Sequence, residues 1–163
     1  MGNQLEIVLF PCLNDNYGFL IHDNDTGETV SIDTPEVDKI VAACSERAWS
    51  LTQIWNTHHH ADHIGGLDDL RPFCYKIGEL PIFLNEITLN SLKKRFEYIF
   101  DPAYKYPGAP TVVSKIIHKS SFVINGLEVI PIEVFHGKLP NYFLDMIWFF
   151  CRLCLSWDGN LKE

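Results

Sequence analysis

His58-His59-His60-Ala61-Asp62-His63 sets four imidazoles and one carboxylate within six residues. Imidazole nitrogen and carboxylate oxygen are zinc ligands, and they suit iron, manganese and cobalt as well. On an extended loop the side chains of His58 and His60 point in a common direction. Asp62 and His63 reach a neighbouring position as the chain turns toward helix. One short segment can therefore serve two adjoining metals. Metal ligation lowers the pKa of bound water enough to give hydroxide near neutral pH. The chemistry implied is hydrolysis without an organic cofactor, with Asp62 as a proton acceptor and orienter of the water. His59, between better-placed ligands, reads as an exposed or supporting residue. A structural or vestigial loop is the competing reading of the whole segment.

The elements that must hold this cluster follow from pattern. Residues 5–10, 17–22 and 29–32 read as strands of an opening meander, with Asp23-Asn24-Asp25-Thr26-Gly27 as the second turn. Residues 37–49 fit a helix that gathers Val37, Ile40, Val41, Cys44 and Ala48 near one face, followed by a short buried strand over 51–55. The histidines thus lie just beyond a strand end, the usual exposed position for a site in a layered α/β protein. A short helix is expected from Leu67, interrupted before Pro72, then a strand over 81–84. Asn85 can cap a helix over 86–100 whose buried face is Leu89, Leu92, Phe96 and Ile99 or Phe100. Residues 101–110 hold three prolines and read as a loop, in which Tyr104 and Tyr106 line a pocket or cover the core. Strands are expected over 111–118, 122–124 and 127–135, with Asn125-Gly126 as a hairpin turn.

A chain of 163 residues fits one domain and can hide roughly 70% of its unfolded surface. A net charge of −8 offers no general attraction to nucleic acid or to an anionic membrane. Residues 142–155 are apolar but include Asp145 and Arg152, and the run is shorter than the roughly 20 residues of a membrane helix. Met1-Gly2-Asn3-Gln4-Leu5-Glu6 has neither the basic n-region nor the long apolar h-region expected of a secretion signal. The five cysteines, Cys12, Cys44, Cys74, Cys151 and Cys154, do not form an even framework and read as reduced thiols, which favours the cytosol. His22 and His118 read as hydrogen-bonded histidines.

The six-residue cluster resembles the signature of the metallo-beta-lactamase superfamily. That resemblance implies an α/β fold of four-layer αββα architecture, with ligands gathered from several loops at one sheet edge. It implies that His58, His60 and a later His bind a first metal, that Asp62 and His63 bind a second, and that a further Asp bridges the two. His136, between the strand at 127–135 and Gly137, matches the later His. Asp158 matches the bridging Asp, although Asp158-Gly159 equally reads as a surface turn, and Asp145 is the weaker alternative. No His follows Asp158 to complete the second site. Asp33, in Ile32-Asp33-Thr34-Pro35, matches the superfamily's early structural Asp, which organises the ligand loop through hydrogen bonds; a turn cap is its plainer role.

Two branches of the superfamily are represented. Residues 7–66, through Pro11-Cys12-Leu13-Asn14-Asp15-Asn16-Tyr17, Thr26-Gly27-Glu28 followed by Ile32-Asp33, and Asn56-Thr57 through Gly65-Gly66, resemble the start of hydroxyacylglutathione hydrolase (glyoxalase II), which implies thioester cleavage. Gly66-Leu67-Asp68-Asp69-Leu70-Arg71-Pro72-Phe73, residues 92–100 and residues 127–140, His136-Gly137-Lys138-Leu139-Pro140 above all, resemble the cyclic phosphodiesterase branch related to phosphoribosyl cyclic phosphate hydrolase. That branch implies attack at phosphorus, with Arg71 and Lys138 as electrostatic contributors or solvated surface charges. Residues 141–163 lack the later family pattern, so a single partial domain over 1–163, truncated in its second half, is expected. Sheet surface left open in this way would promote dimerisation or aggregation.

The sequence therefore points to a metal-dependent hydrolase with two divalent ions, zinc first, acting on a small-molecule phosphodiester. A thioester hydrolase and a catalytically inactive metal-binding or interaction fragment are the alternatives.

Overall fold

A computed structural model describes residues 5–124, 127–136 and 139–146. The chain divides into two compact units, Met1–Ile117 and His118–Glu163.

The first unit is built on a six-stranded sheet in the order β1-β2-β3-β4-β5-β6. Strands β1 (Leu5–Cys12), β2 (Asn16–Asp23) and β3 (Thr29–Ile32) form the expected antiparallel meander, with Cys12 paired to Asn16 at the first turn. From β3 onward the pairing is parallel, through β4 (Gln53–Trp55), β5 (Leu80–Leu84) and β6 (Val112–Ile116). Parallel neighbours need crossover connections, and helices lie in the segments that supply them.

Alternation along the strands decides which residues enter the core. Leu20, Ile54, Leu80, Ile82 and Leu84 are wholly buried together with Ile40 of α1 (Val37–Glu46) and Leu92 of α4 (Glu86–Arg95). Burying each such aliphatic side chain contributes about 1.5–3 kcal/mol. Truncating Ile54 to Ala would cost about 2–5 kcal/mol through the cavity left behind.

Three helix boundaries differ from the sequence expectation. Helix α1 stops at Glu46, because Ala48 adopts a left-handed φ of 56° and the N–H groups of Arg47 and Trp49 both cap the Cys44 carbonyl. Pro72 does not interrupt a helix but opens one: it lies in the first turn of α3 (Arg71–Ile77), where its missing N–H is no loss. Ahead of it, α2 (Ala61–Ile64) runs into a 3-10 helix over Gly65–Leu70. The helix expected over 86–100 is two, α4 and α5 (Glu97–Phe100), divided at the buried Phe96. Lys93, Lys94 and Arg95 in the last turn of α4 complement its C-terminal dipole, and Asn85 caps its start by accepting from the Thr88 N–H at 2.7 Å.

The second unit contains an antiparallel sheet of β7 (Phe122–Ile124), β8 (Leu127–His136) and β9 (Leu139–Met146). Ile124 pairs with Leu127 and His136 with Leu139. No helix among the described residues is long and apolar enough to cross a membrane.

Candidate metal centre

The site forms where β3 and β4 end side by side, at the carboxyl edge of parallel strands where open α/β sheets place their ligands. Asp33 follows β3 with a left-handed φ of 59°, which an Asp tolerates better than most residues. Its N–H donates to the Trp55 carbonyl at 3.0 Å, tying it to the end of β4. The buried carboxylate then organises the segment after β4. Oδ1 accepts from the Thr57 N–H at 2.8 Å and from Asn56 Nδ2 at 3.3 Å. Oδ2 accepts from Thr57 Oγ1 at 2.7 Å and faces His63 Nδ1 at 2.8 Å.

These contacts fix where the imidazole protons sit. An ionised carboxylate only accepts, so His63 carries its proton on Nδ1. Thr57 Oγ1 gives its own proton to Asp33, so the 2.9 Å contact between Thr57 Oγ1 and His58 Nδ1 is a bond donated by His58. Both rings are thereby held in the tautomer whose Nε2 carries the lone pair, the form in which histidine binds metal and in which its other nitrogen is anchored to an acceptor. Asp33, His58 and His63 each offer a ligand atom, all within 4.8 Å of one another, so the donor set fits a divalent cation. Since Asp33 already accepts four hydrogen bonds, the two Nε2 atoms are the better-placed ligands and the carboxylate is their anchor.

The remaining members of the cluster converge on the same place. The His58 ring lies 3.9 Å from that of His63 and 4.7 Å from that of His60, centroid to centroid. Asp62 Oδ2 is 3.6 Å from His63 Nε2, and the Asp62 side chain is half exposed. Burial disfavours the charged form of His63, but the hydrogen bond and charge of Asp33 and the charge of Asp62 outweigh it and raise the pKa. His59 stands to the side, 5.4 Å from His60; burial, then the charges of His60 and Arg95, lower its pKa. His136 ends β8 in the second unit, and Asp158 lies outside the described residues, as does Lys138. Asp145 is on β9, paired with Ile130.

Three residues that the sequence did not single out as site supports also touch the ligand segment. Thr34 donates its N–H to the His63 carbonyl at 2.7 Å, and Gly66 donates back to the Thr34 carbonyl at 2.9 Å. A Cβ at Gly66 would stand 2.8 Å from that carbonyl oxygen, so only glycine allows the approach. Asn16 bonds the Asp62 carbonyl from the β1–β2 turn. The signal for Thr34 was its place beside Asp33; for Asn16 it was the turn motif itself.

A cavity of about 570 Å³ opens beside this segment, lined by residues that include Glu36, Gly65, Gly66, Asp69 and Arg71. Arg71 is ion-paired with Asp68, and its guanidinium lies 6.0 Å from the Tyr106 ring centroid. Its charge is therefore partly answered within the protein. His22 is buried, bonded to Thr29 Oγ1 at 2.9 Å and stacked on Trp49 at 4.2 Å, a structural role as expected.

Comparison with known proteins agrees with this geometry. The family described as Beta-lactamase superfamily domain matches residues 17–146. A hydroxyacylglutathione hydrolase of Maricaulis maris (strain MCS10) is 58% identical over 69 residues, 42% of this chain and 27% of that protein. One from Roseobacter denitrificans is 54% identical over 66 residues, 40% of this chain and 26% of its own length. These matches span about a quarter of the relatives. Among solved structures, a diphosphatase from the PhnP family superposes with a TM-score of 0.64 at 30% identity, over 79% of this chain and 48% of that one. The metallo-beta-lactamase fold protein YhfI from Bacillus subtilis gives 0.63 at 13% identity, over 88% and 57%, a likeness of fold alone.

Proposed function

The chain belongs to the beta-lactamase superfamily, with a metallo-beta-lactamase-like αββα fold, and on that premise we propose that it is a metal-dependent hydrolase of a small phosphodiester. The observation that carries the hydrolase reading is the pair of histidines, His63 bonded through Nδ1 to the buried Asp33 carboxylate and His58 bonded through Nδ1 to Thr57, which donates to the same carboxylate, an arrangement that leaves both Nε2 atoms for metal. A divalent metal bound there would supply Lewis acidity and an activated water. On the superfamily pattern we assign His58 and His60, with His136, to one metal, zinc in the first instance, and Asp62 and His63 to a second, with Asp158 between them. Asp62, half exposed beside His63 Nε2, would accept the proton of the attacking water and keep its lone pair aimed at the substrate. Asp33 and Thr57 would hold the two rings still while this happens. We further propose that residues 1–163 act as one domain of this kind.

The 30% identity to the diphosphatase, spread over 79% of this chain, supports a phosphorus centre. The second reading is a thioester hydrolase, favoured by the 58% identity to a hydroxyacylglutathione hydrolase over 42% of the chain. Zinc-loaded protein assayed in parallel on bis-p-nitrophenyl phosphate and on an acylglutathione thioester separates the two. Phosphodiester cleavage lost in His58→Ala is expected. Selective thioester turnover would reverse the ranking, and metal retention without turnover of either would point to a binding protein.

A further inference from the structure

The first turn of the sheet is fastened to the ligand segment, and the fastening falls on one backbone atom. Helix α2 has only four residues, so its carbonyls lack the full set of partners a longer helix would provide. The N–H four residues beyond Asp62 belongs to Gly66 and donates to Thr34 instead. The Asp62 carbonyl is met from outside the helix by Asn16 Nδ2 at 3.0 Å. Asn16 is itself held: its Oδ1 accepts from the Tyr17 N–H at 2.7 Å, and its backbone ends the β1–β2 ladder opposite Cys12. Leu13, left-handed at φ 53°, opens the other side of the turn, and its N–H donates to the Glu36 carboxylate ahead of α1. The turn is thus fixed at both ends, against the loop after β3 and against α2.

We propose that Asn16 is a positioning residue for the metal held by Asp62 and His63. This rests on the metal-dependent reading above. The Asn16 amide clamps the Asp62 backbone, and so sets the direction in which the exposed Asp62 carboxylate leaves the chain. Thr34 does the same for the next carbonyl, that of His63, at 2.7 Å. The His63 ring has a second anchor in Asp33, but the described hydrogen bonds give the Asp62 backbone only Asn16 as a side-chain anchor. Occupancy of the Asp62 metal should therefore depend on Asn16 more than occupancy of the His58–His60 metal does.

Two substitutions separate this role from that of turn maker. Asn16→Asp keeps the oxygen that receives the Tyr17 N–H, removes the donor to Asp62, and adds a negative charge that by itself would attract a cation. Asn16→Ala loses both bonds. The full chain is titrated with zinc against a chromophoric chelator, and the cobalt-substituted protein is followed by its visible spectrum. Expected for both variants is a roughly tenfold weaker second zinc, in the range for loss of a supporting contact, with the first unchanged and only the second cobalt spectrum altered. Native affinity at both sites in both variants would overturn the proposal. So would loss in Asn16→Ala alone, which would trace the effect to the turn, and equal weakening of both sites, which would trace it to general loosening. If the native chain itself takes up no zinc, the hydrolase reading falls together with this one; if the native chain binds and the variants match it, only this one falls.

Discussion

His63 Nδ1 lies 2.8 Å from Oδ2 of Asp33, and these residues come from different sides of the ligand loop, one at the end of β3 and one in α2. The contact gives the carboxylate a task that metal ligation alone would not: it chooses the tautomer. Replacing Asp33 with Asn keeps the size and tolerates the left-handed backbone, but one of the two oxygens becomes a donor that faces either Thr57 or His63. Asp33→Asn should bind zinc about 10–100-fold more weakly with the fold retained, measured by chelator competition and circular dichroism. Asp33→Ala should in addition lose stability, about 1–2 kcal/mol from the left-handed backbone and about 1–3 kcal/mol for each buried donor left without an acceptor. Unchanged zinc affinity in Asp33→Asn would show that the tautomers are set elsewhere.

The close approach of Gly66 to Thr34 makes a second expectation. A methyl group at Gly66 would meet the Thr34 carbonyl oxygen at 2.8 Å and Val37 Cγ2 at 2.9 Å, whereas one at Gly65 meets nothing within 4 Å. The first obstacle is backbone and cannot rotate away. Gly66→Ala should destabilise by about 1–3 kcal/mol, and Gly65→Ala, in a right-handed helical conformation, should be close to neutral. Chemical denaturation of the two variants side by side checks this; equal stability would mean that the loop after β3 yields at no cost.

Much of this architecture was legible in the sequence, for reasons that particular residues show. The meander and the later strands follow from two-residue alternation, and Asn85 announced α4 because a cap acts within three residues of itself. The end of α1 at a left-handed Ala48 and the division at Phe96 were not legible, since alanine by itself favours helix interiors and Phe96 is drawn into the buried core cluster by contacts its neighbours in sequence do not announce. The ligand segment announced itself by spacing alone. Its supports did not: Thr57 meets Asp33 across 24 positions and Asn16 meets Asp62 across 46, contacts that exist only once the sheet has formed.

Asp68 gathers aromatic hydroxyls as well as Arg71, and this has an alkaline signature. Burial, then the hydrogen bond and charge of Asp68, push the Tyr98 hydroxyl up to about 12. A folded pKa above the unfolded value near 10 means that the native state holds this proton more tightly. The contribution to stability is complete below about pH 10 and is lost as pH rises toward 12. In Asp68→Asn the shift should shrink, so the alkaline loss should still begin at about pH 10 but be smaller and end at lower pH. Ultraviolet titration of tyrosinate in the native chain and in Asp68→Asn, with Tyr98→Phe to assign the signal, tests it; a Tyr98 transition at the ordinary value would remove the claim.

Metal removal should be visible without any substrate. A ligand that binds only the folded chain stabilises it by about 2.7 kcal/mol when its free concentration is a hundred times its Kd. Zinc should therefore raise the melting temperature of the native chain, and a chelator should return it to the metal-free value. His58→Ala and His63→Ala each remove a proposed ligand ring, one from each of the two assigned metals, so a large part of the zinc-dependent increment should vanish in both. Asp33→Asn keeps both rings but frees their tautomers, so its increment should be intermediate and recover at higher zinc. The order of the four proteins, native above Asp33→Asn above the two histidine variants, is the discriminating result. It separates ligands from the group that orients them, since a carboxylate acting as a principal ligand would place Asp33→Asn with the histidine variants. Melting curves at fixed protein and graded zinc give that order directly, and identical increments in all four would assign the bound ion to some other place on the chain.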